Sequence, residues 1–273
     1  DIYSPGMAER LAAAFPRSRF IEGYDILMKA KQIKTEDEIY CLKIANAMTE
    51  AAMDAALHFL KPGVRECEVL AEAWKTMTAL GSEWTQCSNI VASGPYTAPY
   101  RRFTSDRIIR LGDLVIIDIG GCYNGYYGDF TRTWVCGDVV PTPQQIDVHQ
   151  QCYDALHRAA AACGPGHTNA QVVETAGEQY VLSSLGHGSG LNPWEAPHFS
   201  LTSKADPLLL EANMVANLEP YYGIPGIGGV RLEHDLVIRS DGPEIYTTYP
   251  FDERLLHQVH PLDTTTGRVI RRR

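Results

Sequence analysis

The chain has 273 residues, a length that fits one large domain or two small ones. Hydrophobic residues make up 45% and charged residues 21%, which excludes general disorder because there is ample apolar surface to bury. The chain contains 24 Lys and Arg residues and 33 Asp and Glu residues, so its formal net charge is −9. This balance argues against a nucleic-acid partner, which usually requires a basic face. No apolar run approaches the length of a bilayer span, so we expect no membrane association.

The seven cysteines are odd in number and scattered in spacing, and no two form a Cys-x-x-Cys pair. This pattern favours neither a disulfide framework nor a zinc knuckle. Buried free thiols in a reducing compartment explain it best, and we therefore predict a cytoplasmic protein.

The first part of the chain has the pattern of helices. A helical segment is predicted over residues 7–15, followed by a short connector. Thr35 and Glu38 then have the spacing of a capping box, in which each side chain satisfies a free backbone N–H of the other residue. The helix that begins there should end at Pro62-Gly63, and a second helix is predicted over residues 66–80.

The same order of elements recurs later in the chain. Thr142-Pro143 has the chemistry of a helix start, and helices are predicted from there to Cys163 and over 169–185. Each helix pair precedes strand-like sequence, which suggests two α+β halves related by a pseudo-two-fold axis with a site between them. Chance similarity of two helical hairpins is the alternative. The predicted strands, rich in Val, Ile, Thr and aromatic residues, are 89–93, 114–119, 129–135, 214–219 and 230–238.

Two aspartates lie where buried strands are predicted. Asp118 follows the apolar run 114–117, and a carboxylate in that position is costly unless it is paired or binds a metal ion. Asp129 comes after a segment of turn residues that contains several glycines. A hairpin would bring the two carboxylates together, and a divalent cation between them would remove their repulsion.

Two glutamates and one histidine extend this pattern. Glu219 follows a predicted strand, Glu233 lies beyond the glycine-rich segment 223–229, and His187 lies between glycines in 186–190. Carboxylates with one imidazole suit Mn²⁺, Co²⁺, Fe²⁺ or Zn²⁺, and four carboxylates fit a two-metal hydrolytic site. Taken singly, each of these residues is more often a structural ion-pair partner.

The motifs around these residues resemble those of the pita-bread metallopeptidases. This family includes methionine aminopeptidases, Xaa-Pro aminopeptidases and prolidases, with creatinase as a relative, and the Xaa-Pro branch is the most similar. The resemblance covers roughly residues 33–250. It is carried by the Asp118 to Asp129 spacing, the glycine-flanked His187, the segment Leu218-Glu219-Pro220 and the segment Gly228–Glu233.

The resemblance implies an α+β pita-bread fold with two pseudo-symmetric halves around a mixed sheet. It also implies two divalent metal ions, with Asp129 and Glu233 bridging them and Glu219 acting additionally as the general base toward the attacking water. The implied metal ligands are Asp118, Asp129, His187, Glu219 and Glu233.

Two positions depart from the family pattern. Arg101 and Trp194 stand where the peptidase branch has histidines, which by the resemblance orient the scissile carbonyl and protonate the leaving nitrogen. Arginine binds carboxylate or phosphate in a forked geometry, and indole offers stacking and a single donor. Glu219, Arg101 and Trp194 are therefore the candidate catalytic residues, and His198 is close enough in sequence for a local shift to supply one histidine.

We accordingly expect a metal-dependent hydrolase of the Xaa-Pro aminopeptidase or prolidase type, forming a homodimer and acting on a short peptide or other small molecule. The changed positions leave two alternatives, a non-peptidase hydrolase or lyase acting on a small anionic substrate, and an inactive binding protein. Residues 1–34 are interpreted as a linker from an N-terminal domain outside this chain, 35–250 as the catalytic domain and 251–273 as a C-terminal extension. His149 and His157, on the helix after Thr142, are expected to be solvated.

Overall fold

Helical hairpins alternate with antiparallel strands along the chain. The computed structural model describes residues 6–85, 89–101, 103–261, 263 and 269–270. The α-helices of these residues are α1 (Met7–Ala14), α2 (Tyr24–Gln32), α3 (Glu36–Phe59), α4 (Glu66–Ala79), α5 (Pro143–Ala162) and α6 (Asn169–Ala176). The strands are β1 (Ile90–Ser93), β2 (Leu114–Ile119), β3 (Cys122–Tyr123), β4 (Tyr126–Tyr127), β5 (Phe130–Val135), β6 (Gly186–Gly188), β7 (Glu195–Phe199), β8 (Val215–Leu218), β9 (Tyr221–Ile224), β10 (Gly228–Arg231), β11 (His234–Arg239), β12 (Gly242–Ile245), β13 (Phe251–Asp252) and β14 (Val269–Ile270).

The first half consists of the α3–α4 hairpin and the antiparallel sheet β1-β2-β5. The predicted capping box starts α3, where the Glu38 N–H donates to Thr35 Oγ1 and the Thr35 N–H donates to Glu38 Oε2 at 2.8 Å. Apolar residues of α3, α4 and the sheet form one core cluster, in which Met53, Val69 and Ile117 are fully buried.

The second half repeats this arrangement with the α5–α6 hairpin and the antiparallel sheet β12-β11-β8-β6-β7. Thr142 caps α5 in the same way that Thr35 caps α3. A second core cluster fills the space between these helices and strands, and it includes the fully buried Leu156, Val172 and Leu218. The predicted repeat of two α+β halves is therefore present in the fold.

Three element predictions are wrong in detail. The region after Pro16 contains helix α2, which the sequence analysis treated as part of a connector. Helix α6 ends at Ala176 instead of residue 185, because Gly177 adopts a positive φ of 107° that stops the helix. The predicted strand 230–238 is divided into β10 and β11, and this interruption leaves Glu233 between two strands.

The prediction that His149 and His157 are solvated is also wrong. Both side chains lie on the buried face of α5, with exposed fractions of 0% and 8%. The face of α5 that packs on the second sheet is wider than its apolar residues alone indicate, because it also contains these polar side chains.

Parts of the segments outside 35–250 pack against the core, although helix α1 buries none of its residues. On the N-terminal side, Lys34 is buried and contacts Glu195 of β7 at 3.0 Å. On the C-terminal side, Phe251 and Leu255 are fully buried. Among the described residues, no helix combines the length and apolar character needed to cross a bilayer.

Candidate metal centre

The five predicted ligands come from strand ends in both halves of the fold. Asp118 lies in β2 and Asp129 directly precedes β5, whereas His187 lies in β6, Glu219 follows β8 and Glu233 separates β10 from β11. Their exposed fractions are between 0% and 5%. Carboxylates this deeply buried require compensation by cations, hydrogen bonds or metal ions.

The structure brings these side chains together in one cluster. Carboxylate oxygens of Asp118, Asp129 and Glu233 lie within 4.8 Å of one another. His187 Nε2 lies 3.6 Å from Asp129 Oδ2 and 3.7 Å from Glu219 Oε1. The sequence-predicted ligand set therefore converges on a single small volume.

Neighbouring groups orient the ligands. His187 Nδ1 lies 3.0 Å from the Gly188 carbonyl oxygen, which can only accept a hydrogen bond, so Nδ1 carries the proton and Nε2 faces the carboxylates. Thr131 donates its hydroxyl to Glu233 Oε2 at 2.9 Å. The Asp129 N–H donates to Asn46 Oδ1 at 3.1 Å, which fixes the backbone just before β5.

Crowding of the acids changes their protonation. Burial, with repulsion from Glu219 and Asp118, raises the pKa of Glu233 to about 8. Burial, followed by repulsion from Glu233 and the other acids, raises the pKa of Asp129 well above its ordinary value. Burial lowers the pKa of His187 to about 3, so its imidazole is neutral at physiological pH. A neutral imidazole among oxygen ligands is the state that coordinates a metal ion.

Arg231 contributes a cation that the sequence analysis overlooked. Its Nη1 lies 2.6 Å from Asp118 Oδ2, and its Nη2 contacts Glu219 Oε2. Burial alone would lower the pKa of Arg231, but Glu219 and Asp118 together raise it well above its ordinary value. The sequence signal that could have identified Arg231 was its position in β10, two residues before the predicted ligand Glu233.

Tyr100 is the second overlooked residue. Its hydroxyl donates to Asp118 Oδ2 at 3.2 Å, and its ring stacks on Tyr221 with 5.5 Å between centroids. Arg101, the residue that was predicted to act here, has an exposed side chain whose guanidinium lies 4.7 Å from the Tyr96 ring centroid. Tyr100 is therefore the residue of this pair that contacts the ligand cluster.

Trp194 lies beside the cluster, as its position in the sequence suggested. Its ring is edge-on to the His187 imidazole, with 6.3 Å between centroids and 51% of the tryptophan exposed. His198 is exposed on β7, where it alternates with the buried Pro197 and Phe199. Trp194, and not His198, makes the ring contact with His187.

Comparison with known proteins agrees with this fold. The sequence model described as metallopeptidase family M24 matches residues 40–240. The chain is 35% identical over 231 residues to a Xaa-Pro dipeptidase from Pyrococcus furiosus, covering 82% of this chain and 65% of that protein. It is 32% identical over 250 residues to a Xaa-Pro dipeptidase from Pyrococcus horikoshii, covering 89% of this chain and 70% of that protein.

Solved structures show the same similarity. The prolidase from Pyrococcus horikoshii superposes with a TM-score of 0.84 at 32% identity, over 90% of this chain and 72% of that chain. An X-Pro aminopeptidase from Thermotoga maritima superposes with a TM-score of 0.81 at 31% identity, over 90% of this chain and 71% of that chain. The α+β pita-bread fold is thereby confirmed.

The fold and the buried acid cluster thus define a protein of the pita-bread metallopeptidase class. The chain belongs to metallopeptidase family M24, in its Xaa-Pro peptidase branch. It spans about two thirds of the length of the Pyrococcus furiosus relative.

The residues present fit the divalent metal ions that this family implies. Four carboxylates and one neutral imidazole supply the oxygen and nitrogen donors that Mn²⁺, Co²⁺, Fe²⁺ and Zn²⁺ accept. Arg231 offsets the charge on Asp118 and Glu219, whereas the raised pKa values of Asp129 and Glu233 show that repulsion persists on their side of the cluster. Added positive charge at this point would remove that repulsion.

Proposed function

We propose that this chain is the catalytic domain of a metal-dependent hydrolase of the Xaa-Pro aminopeptidase or prolidase type, with two divalent ions in its centre. The observation that carries the proposal is the convergence of five buried ligand side chains from both halves of the fold. The similarity to Xaa-Pro dipeptidases supports the substrate class. Divalent ions held there would polarise a scissile carbonyl and lower the pKa of water.

The remaining catalytic roles are assigned to side chains of this protein. Asp129 and Glu233, whose pKa values are both raised by burial and by neighbouring acids, are assigned as the bridging carboxylates that the family resemblance implies. Glu219 is assigned as the general base, because its Oε1 faces His187 while Oε2 is held by Arg231. Arg231 thereby positions the base.

Tyr100 is assigned as a hydrogen-bond donor to the substrate at this centre. Burial, with the nearby charge of Asp118, raises the pKa of its phenol well above the ordinary value, so the hydroxyl keeps its proton. This single O–H donates to Asp118 in the structure, and by rotating about the C–O bond it would become a donor for a carbonyl oxygen or a leaving nitrogen of a substrate. It supplies a donor on the segment where the family pattern has a histidine.

A second candidate function follows from the two positions at which the family pattern has histidines and this chain does not. Arg101 and Trp194 would favour a small anionic substrate, since guanidinium binds carboxylates in a fork and indole stacks on flat groups. The placement of Trp194 beside His187 supports this candidate. For such a substrate, Arg101→Ala should lower kcat/KM without changing metal content, and Arg101→Lys should restore it only in part. Wild-type kinetics in Arg101→Ala would remove Arg101 from the site.

The test of the proposed function is hydrolysis of a panel of Xaa-Pro dipeptides by metal-depleted protein after addition of Mn²⁺ or Co²⁺. Turnover that appears with metal supports the peptidase. Metal binding without peptide turnover overturns the peptidase and favours the enzyme for a small anionic substrate. Absence of both metal binding and turnover favours an inactive binding protein. A homodimer, a cytoplasmic location and a preceding N-terminal domain stay predictions.

A further inference from the structure

A second cluster of metal-ligand side chains lies on the other side of the strand that follows Glu233. It consists of His157 on α5, His234 at the start of β11 and Asp263 near the C-terminus, with exposed fractions of 8%, 0% and 0%. One ligand atom from each lies within 4.8 Å of the other two. Because successive side chains of a strand point to opposite faces, His234 faces away from the centre that contains Glu233.

The His157 ring is oriented as a metal ligand. Its Nδ1 lies 2.9 Å from the Tyr153 carbonyl oxygen, which can only accept, so the proton belongs on Nδ1. The other nitrogen, Nε2, lies 3.0 Å from Asp263 Oδ2. This geometry places Nε2 and a carboxylate oxygen at a separation that a shared cation would bridge.

Neighbouring groups hold the other ligands in place. The Tyr153 hydroxyl contacts Asp263 Oδ2 and accepts a hydrogen bond from the His260 N–H at 2.7 Å. The His234 ring lies edge-on to His157 with 5.3 Å between centroids. His260 is exposed and stacks on His157 with 4.3 Å between ring centroids, so it lies between the cluster and the protein surface.

We propose that His157, His234 and Asp263 form a binding site for a zinc-class divalent ion, separate from the catalytic centre. Two imidazole nitrogens and one carboxylate oxygen are a common ligand set for Zn²⁺, which completes its tetrahedron with a further donor. The ion would join α5, β11 and the C-terminal segment, and its role is to fasten that segment to the second half of the fold. A simple imidazolium–carboxylate pair is the competing explanation, and it predicts no zinc binding.

The experiment counts zinc on metal-depleted full-length protein by titration against a chromophoric chelator, followed by thermal unfolding of each sample. His157→Gln should bind one zinc equivalent fewer than the wild type, and zinc should raise its Tm less. The matched control is His149→Gln, because His149 is buried on the same helix but outside the cluster. This control should retain the wild-type zinc count.

Two further variants keep the test decisive if His157→Gln folds poorly. Asp263→Asn should also lose one equivalent. Tyr153→Phe removes only the supporting hydroxyl, so it should keep the site but weaken its zinc affinity by about 10- to 100-fold. Equal zinc counts and affinities in wild type, His157→Gln and Asp263→Asn would overturn the site. Loss of one equivalent in His149→Gln as well would overturn it too, since the effect would then not depend on the cluster.

Discussion

Tyr100 donates a hydrogen bond to Asp118 across 3.2 Å, which places a phenol against the acid cluster. The neighbouring Arg101 side chain is exposed and packs on Tyr96. The cis peptide bond between Ala98 and Pro99 precedes this pair. Counting residues along the segment identified Arg101 as the residue beside the acid cluster. In the fold it is Tyr100 that contacts the cluster.

Tyr100→Phe should lower kcat/KM by roughly 10- to 100-fold, because a hydrogen bond to a charged group typically contributes about 1.5–3 kcal/mol. Metal content should stay at the wild-type level, since the phenol is not among the predicted ligands. Steady-state kinetics on the substrate found in the dipeptide panel, with metal analysis of the same samples, measures both quantities.

The control for this variant is Tyr96→Phe, which removes a hydroxyl from the same segment while keeping the ring that Arg101 covers. It should behave as the wild type. If Tyr100→Phe matched Tyr96→Phe in kcat/KM, the phenol would have no part in turnover.

The clustering of the candidate acids was predictable from the sequence, because a buried carboxylate is costly and therefore stands out from an ordinary strand residue. Asp118 and Glu219 each follow an apolar strand, and that context alone marks them as unusual. Arg231 was not predictable in the same way, since an arginine in a strand gives no sign of which acids it will contact. Its two partners, Asp118 in β2 and Glu219 directly after β8, come from different halves of the fold.

The polar cluster on α5 was missed for a related reason. His149 and His157 interrupt the apolar stripe of their helix, and a polar residue in that pattern ordinarily indicates a solvated face. Whether such a residue is buried depends on partners that are distant in sequence. For His157 these partners include Asp263, beyond the end of the predicted catalytic domain.

Asp129→Ala should abolish bound metal at one or both positions of the catalytic centre, because the bridging carboxylate is assigned to both ions. Unfolding should also occur at lower denaturant concentration, since the remaining acids would face each other without the cation. Elemental analysis and urea unfolding test these outcomes. Asp129→Asn, which keeps the size of the side chain, serves as the companion variant. Full metal content in both variants would contradict the bridging role.

The stability of metal-free protein should depend on pH through Glu233. Its pKa is raised from 4.5 to about 8 by burial and by Glu219 and Asp118, so the folded chain holds this proton more tightly than the unfolded chain. Between pH 4.5 and about 8 the unfolded chain loses the proton first, and the free energy of unfolding therefore falls as pH rises. Urea unfolding at pH 5 and pH 8 should show this decline in chelated protein.

Bound Mn²⁺ should reduce that decline, because the folded state then contains the ionised carboxylate as a ligand. Glu233→Gln, which cannot titrate, should show a smaller decline than wild type when both are metal-free. An identical pH dependence with and without Mn²⁺ would argue against ion binding by these acids.

Glu66 should be a strong stability determinant for the segment that bears Tyr100. Its carboxylate is fully buried at the start of α4. It accepts hydrogen bonds from the N–H and hydroxyl of Ser93, at 2.8 and 2.7 Å, and from those of Ser105, at 3.1 and 2.6 Å. Glu66→Ala should lower the free energy of unfolding by about 3 kcal/mol or more, since several buried donors lose a charged partner. Denaturant unfolding measures the loss.

The matched surface control is Glu72→Ala on the same helix, where the pair with Lys75 lies at the surface. Exposed pairs of this kind typically contribute about 0.2–1 kcal/mol. A similar loss of stability in both variants would show that burial of Glu66 has no special effect.

The most direct test of the account is the rate of Xaa-Pro dipeptide hydrolysis by metal-depleted protein as Mn²⁺ is added, compared between wild type and Glu219→Gln. Wild-type turnover should be absent without metal and should rise with Mn²⁺ until the catalytic centre is filled. Glu219→Gln should stay at least about 100-fold slower at every Mn²⁺ concentration, the lower range for loss of a general base. Turnover that is independent of Mn²⁺, or that survives in Glu219→Gln at the wild-type rate, would contradict a metal-dependent hydrolytic centre built on this cluster.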